Sequence, residues 1–168
     1  MVGVAESYMK VAINEARKAL DKDEVPVGAV IVYEGRIIAR AHNQIVLLHD
    51  PTAHAEMIAI TQAADYLRNE RLINASIYVT IEPCPMCAGA LVLARIKRLF
   101  YGADDPKTGS CGSLMNIVQD SRLNHSIVIK KGILEEECRL IMQEFFEKKR
   151  ASTERYPSTV EGGGLLNR

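Results

Sequence analysis

Short β-branched runs, helix-period segments between them and a length suited to one core together predict a three-layer α/β/α sandwich around a mixed five-stranded sheet. The 168 residues are 48% hydrophobic, enough to bury one substantial core and too few for two independent enzymatic domains. Strands separated by segments of helix length favour a sheet that is parallel in part, because a parallel crossover needs a helix, and the helices then cover its faces.

From Ser7 to Leu20, the residues Tyr8, Val11, Ala12, Ala16, Ala19 and Leu20 recur at three-and-four spacing, which predicts an amphipathic helix. Val27 to Tyr33 is an apolar β-branched run, Glu34-Gly35 is a turn signal, and Arg36 to Ala41 reads as the returning strand of a hairpin. A polar connection from His42 to Ala53, containing Asp50-Pro51, leads into a helical pattern from His54 to about Leu67. Ser76 to Ile81 is a strand, and Cys84-Pro85 then opens a helix to about Ala94, with proline suited to the first helical position. Arg98 to Tyr101 gives another strand, Gly102 to Ser113 a loop, Ser126 to Lys130 a weaker strand, and Leu134 to Lys149 a closing amphipathic helix. The folded domain is expected over residues 1–150. Residues 151–168 are polar, contain Gly162-Gly163-Gly164 and hold no sustained period, so they are expected to form a mobile tail.

Lysine and arginine total 21 against 21 aspartates and glutamates. No overall field therefore attracts a polyanion, and any RNA contact has to come from local basic patches. The N-terminus has no secretory leader pattern, and no apolar run approaches the roughly 18 residues of a membrane span. The expectation is a cytoplasmic enzyme with no membrane partner. Of the four cysteines, Cys84 and Cys87 form a CxxC, which in a reducing compartment points to metal or redox chemistry. Cys111 and Cys138 have no partner at ligand spacing, and Cys138 lies in the closing helix, where simple burial explains it.

The chemistry is concentrated in His54-Ala55-Glu56 at one helix start and Pro83-Cys84-Pro85-Met86-Cys87 at the next. Two cysteines three apart share a helix face, and the positive potential of a helix N-terminus favours their thiolates. With His54 as third ligand, a zinc ion would keep one tetrahedral position for water, the catalytic pattern. Glu56, two residues from His54, points away from the ligand direction and is placed to shuttle protons. A CxxC on its own is equally compatible with a structural zinc half-site or a redox pair; the H-x-E and the flanking prolines match the zinc-deaminase pattern.

These motifs resemble the cytidine deaminase-like superfamily. Within it, Asp50-Pro51-Thr52-Ala53-His54-Ala55-Glu56, Asn43 and Asp105-Pro106-Lys107-Thr108-Gly109 resemble the tRNA adenosine deaminases, over about Ser7 to Arg150. The resemblance implies a cytidine deaminase-like fold, one zinc per subunit, and hydrolytic deamination of adenosine to inosine at the wobble position of a tRNA anticodon. It implies zinc-activated water with Glu56 passing a proton to ring nitrogen 1 while hydroxide adds to carbon 6 and ammonia leaves. It also implies a homodimer that binds the anticodon stem-loop, with the partner subunit contributing near the site.

By the same resemblance, Asn43 hydrogen-bonds the flipped nucleotide and Asp105 lies near its sugar and backbone. Pro26 and Val27 flank the base on one side, and Ala53 and His54 on the other. Lys107, Phe145, Phe146 and Arg150 are the candidate RNA contacts. Local chemistry offers plainer readings: Asn43 and Asp105 as turn residues, Val27 as strand core, and the Arg95, Lys97, Arg98 and Lys148, Lys149, Arg150 clusters as solvated faces. Leu91, Val92 and Leu93 could supply a dimer interface or a monomer core. His42, His49 and His125 have no partner at ligand spacing and read as surface or capping residues.

A free-base guanine deaminase shares the run before Glu56, but the Asp105 to Gly109 loop and the Phe-Phe-basic helix end argue against it. A bifunctional riboflavin-pathway deaminase needs a reductase domain that this length cannot hold. A catalytically inactive, zinc-stabilised RNA-binding subunit would have no need of Glu56.

Overall fold

The structure, a computed structural model, describes residues 3–155. Its elements are α1 (Val4–Asp21), β1 (Gly28–Tyr33), β2 (Arg36–His42), α2 (Ile45–Leu48), α3 (Ala55–Leu67), β3 (Ser76–Ile81), α4 (Pro85–Leu93), β4 (Arg98–Ala103), β5 (Val128–Lys131) and α5 (Glu135–Arg155). The five strands form one sheet in the order β2-β1-β3-β4-β5. β1 is antiparallel to both β2 and β3, whereas β3, β4 and β5 run parallel. The mixed sheet expected from the sequence is thus the one observed.

Alternation along the strands builds the three layers. Ala29, Ile31, Ile77, Val79, Leu99 and Tyr101 face one way, against Ala55, Ala59 and Ala63 of α3 and Leu91 of α4. Val30, Val32, Tyr78 and Phe100 face the other way, against Met9, Ala12, Ile13 and Ala16 of α1 and Cys138, Ile141 and Phe145 of α5. Two cores of period-two strand residues and period-3.6 helix residues are what an α/β/α sandwich requires. The hairpin turn uses Glu34 and Gly35, both at positive φ (48° and 73°), as a two-residue turn matched to strand twist needs. Gly28 lets β1 lie against α1, since a Cβ there would run into the backbone of Ala12 and Ala16.

Most element ends fall within three residues of expectation, and two differences are larger. The connection between His42 and Ala53 contains α2, closed by His49 in the left-handed region (φ 50°), which gives that histidine the capping place foreseen for it. Four residues are too short to show a helical period, which is why the sequence reads as loop. α5, expected to end at Lys149, continues to Arg155. There the hydroxyls of Ser152 and Thr153 donate back to the carbonyls of Lys148 (2.9 Å) and Lys149 (3.1 Å), so both hydroxyls are satisfied within the helix. The rest of the expected tail, 156–168, lies outside the described residues. No described helix is long and apolar enough to cross a membrane.

Strand direction decides where the site forms. Because β1 opposes its neighbours, its N-terminal end shares one sheet edge with the C-terminal ends of β2, β3 and β4. Ligands of open α/β sheets bind at such carboxyl edges. Val27, Asn43 and Glu82, which flank β1, β2 and β3, and Asp105, two residues past β4, come together there.

Candidate active site

His54 and Cys84 are the N-cap residues of α3 and α4, each in extended backbone, and Pro85 takes the first helical position of α4. Cys87 is buried one turn in. His54 Nδ1 stands 3.6 Å from each of the Cys84 and Cys87 sulfurs, and the three ligand atoms lie within 4.8 Å of one another. The Ala55 N–H donates to Asn43 Oδ1 at 2.8 Å, so the end of β2 caps α3 and fixes the backbone that carries His54.

The electrostatics of the cluster suit a dication. A hydrogen bond from Cys87, reinforced by His54, pulls the Cys84 thiol down to about 4 against its burial. The hydrogen bond with Cys84, and then burial, push the Cys87 thiol up. The hydrogen bond with Cys84 raises His54 above its ordinary value. Glu56 is only 3% exposed, and burial pushes its carboxyl up to about 7. Its Oε2 has no hydrogen-bond partner among the described residues. One imidazole, two sulfurs and a buried, unpaired carboxylate oxygen beside them fit a three-ligand zinc site with an adjacent proton acceptor.

His54, Glu56 and Cys84 floor a cavity of about 250 Å³. Val27 and Asn43 line it on one side, Ile81, Glu82, Asp105 and Thr108 on another, and Ile45 of α2 and Met142 of α5 close it. Of the residues expected to touch substrate, Val27, Asn43 and Asp105 are at the cavity. Ala53 is not among its lining residues; it is buried and accepts a hydrogen bond from Gln44 N at 3.0 Å. The Asp105 carboxylate accepts from the backbone of Lys107 (2.9 Å) and Thr108 (3.2 Å) and from the Thr108 hydroxyl (2.6 Å). The turn-forming and cavity-lining readings of Asp105 therefore hold together.

The candidate RNA contacts divide. Lys107, Phe146 and Arg150 are exposed. Phe145 is 6% exposed and packs in the α1 and α5 core, because it continues the Cys138, Ile141 stripe of the helix; it presents no face to a ligand. Arg95 and Lys97 lie at the opposite end of the sheet, bonded to Asn124 (2.7 Å) and Asn74 (3.3 Å). Leu91 and Val92 are buried, leaving Leu93, 80% exposed, as the accessible member of that trio.

Two of the buried polar groups that sequence reasoning missed are His42 and Glu82. His42 is not a surface residue: it is buried, with Nδ1 3.0 Å from Glu15 Oε2, because the end of β2 faces α1. Burial pushes Glu15 up, but hydrogen bonds from Lys18 and His42 outweigh it and hold the carboxyl below its ordinary value. Glu82, between β3 and Pro83, is the other. It accepts from backbone N–H groups 23 to 31 residues away, and an acidic residue at the end of an apolar run just before the cysteine motif was its one sequence signal. His125, expected at the surface or in a cap, is half-buried, with Nε2 2.7 Å from the Ile96 carbonyl.

Residues 5–150 match the family model of MafB19-like deaminases. The chain is also 52% identical, over 145 residues, to the tRNA-specific adenosine deaminase of Bacillus subtilis (strain 168), covering 86% of this chain and 90% of that protein. This chain belongs to the tRNA-specific adenosine deaminase family. A solved structure from a study of A-to-I editing by tRNA:A34 deaminases at the wobble position of transfer RNA is 46% identical, with a TM-score of 0.78 over 80% of this chain and 98% of that one. The guanine deaminase of Nitrosomonas europaea shares the fold at 22% identity, with a TM-score of 0.73 over 83% of each chain. The cytidine deaminase-like fold expected for a tRNA-specific adenosine deaminase is the one observed.

Proposed function

We propose that this chain hydrolyses adenosine to inosine at the wobble position of a tRNA anticodon, in the cytoplasm and as a homodimer. The observation that carries the chemistry is the convergence of His54, Cys84 and Cys87 beside the buried Glu56, whose Oε2 has no hydrogen-bond partner among the described residues, with His54, Cys84 and Glu56 lining one cavity. Family membership supplies the substrate class.

One zinc per subunit, held by His54 Nδ1 and the Cys84 and Cys87 sulfurs, would supply Lewis-acid activation of water near neutral pH. Glu56, poised near 7, accepts a proton from the attacking water at Oε2, passes it to ring nitrogen 1 as the water oxygen adds to carbon 6, and serves again as ammonia leaves. Val27 gives the base an apolar wall. Asn43 has its oxygen committed to Ala55, so Nδ2 is the group it offers to an acceptor on the nucleotide. The cavity lies below the roughly 300–1,000 Å³ of a typical small-molecule site, which suits one flat base inserted from a polymer that stays outside. Phe146, Arg150 and Lys107 are the exposed groups available to that polymer. Leu93, exposed at the end of the metal helix, is the apolar group available to a second copy.

The test is incubation of zinc-loaded protein with an anticodon stem-loop carrying adenosine at the wobble position, and separately with guanine and with cytidine, quantifying ammonia and inosine. Inosine formed in the RNA alone is expected. Ammonia from guanine or cytidine alone would overturn the substrate, and no release from any of them would overturn the enzymatic reading.

A further inference from the structure

We propose that Glu82 is a positioning residue for the nucleotide: it is the template on which the 104–113 loop is folded into a cavity wall, and it sets substrate affinity without taking part in proton transfer. This rests on the deaminase reading above.

Glu82 is 1% exposed and forms no ion pair among the described residues. A buried carboxylate without a cation is costly unless hydrogen bonds replace its hydration. Here they do. Oε1 accepts from the N–H groups of Cys111 and Ser113, each at 3.0 Å. Oε2 accepts from the N–H of Asp105 at 3.0 Å and from the Ser113 hydroxyl. A carboxylate has about four acceptor positions, and the loop occupies four. Although Glu82 borders the cavity, it has no lone pair left for a substrate, which separates it from Glu56.

The loop has backbone turns of its own, and the Ser110 N–H reaches the Pro83 carbonyl at 2.9 Å, but the N–H groups of Asp105, Cys111 and Ser113 are bonded by Glu82. Between β4 and β5 the sole described strand-like pairing is a bridge from Cys111 to Asn116. The Asp105 N–H is tied to Glu82, and the Asp105 side chain in turn orders Thr108; Asp105 and Thr108 both line the cavity. The fit is close: a Cβ on Gly109 would run into the Glu82 carboxylate. An acid is needed rather than an amide, since an amide would point N–H groups at N–H donors and lose up to half the bonds.

The experiment uses the zinc-loaded Glu82→Gln enzyme with the wobble-adenosine stem-loop, measuring KM and kcat, zinc content, and amide hydrogen exchange across 104–116. We expect faster exchange confined to the loop, zinc retained, KM raised about tenfold or more, and kcat within about threefold of wild type. A fall in kcat at unchanged KM, or loss of zinc, would place Glu82 in the chemistry or the metal site and overturn the proposal; so would unchanged exchange and kinetics. Should Glu82→Gln fail to fold, Ser113→Ala removes one donor: a KM increase of about two- to fivefold with faster loop exchange supports the assignment, and wild-type values overturn it. If the wild-type chain deaminates none of the substrates, the function is what fails, and loop exchange in the variants still decides whether Glu82 holds the wall.

Discussion

Glu56 has an environment that makes two different demands on one carboxyl. Burial raises it to about 7 from an ordinary value of 4.5, which favours the neutral form in the protein groups alone, while proton transfer needs both forms near neutrality. Glu56→Gln keeps the shape and removes the exchange, so deamination should fall by about 10²- to 10⁴-fold with zinc content unchanged. Stability supplies an independent check in chelator-stripped protein. A carboxyl whose folded value is raised contributes stability that is fully present below 4.5 and is lost as pH rises through about 7. Glutamine does not ionise, so stripped Glu56→Gln should exceed stripped wild type by roughly 3 kcal/mol near pH 8, and the gap should close near pH 4. Urea unfolding at the two pH values measures this, and a gap independent of pH would show that the Glu56 carboxyl is not raised. Glu56, His54 and the cysteines were legible because their chemistry is written in local spacing. Glu82 and His42 were not, because their partners are donors and acceptors that only the tertiary fold supplies.

Helix α5 shows how adjacent residues of one type part company. Cys138, Ile141 and Phe145 follow at intervals of three and four and share the core face, whereas Phe146 turns outward and is 45% exposed. The rings still meet edge-on, with centroids 5.4 Å apart. That stripe was present in the sequence; a Phe-Phe pair at a basic helix end reads as a unit only if the period is ignored. Truncating the inward ring leaves a cavity, so Phe145→Ala should cost about 3–5 kcal/mol. Phe146→Ala should cost at most about 1 kcal/mol, mostly the edge contact, yet raise KM for the stem-loop. Thermal unfolding and steady-state kinetics on both variants separate the roles, and the reverse pattern would return Phe145 to the RNA surface. Helix α2 was illegible for a different reason, its four residues being shorter than any period that could announce it.

Across the whole molecule, strand order was the information the sequence withheld. Short strands and intervening helices predict the three layers, but the pairing of β1 between β2 and β3 is what brings Val27, Asn43, Glu82 and Asp105 to one edge. The surface bears on assembly. With equal numbers of acidic and basic residues, two copies meet without net repulsion, a condition that favours association. Leu93 is a large apolar side chain, 80% exposed, at the end of the helix that starts with the metal ligands. Its neighbours Leu91 and Val92 are spent on the core, so of the three it alone can be buried by a partner. Full burial of such a side chain contributes about 1.5–3 kcal/mol, and a charge placed there would forfeit at least that much. Leu93→Glu should therefore weaken a dimer by about 10- to 100-fold in Kd without lowering the melting temperature of the monomer. Sedimentation equilibrium across a concentration series measures it. A wild-type chain that stays monomeric would remove the dimer, and an unchanged Kd in the variant would move the interface away from the metal helix.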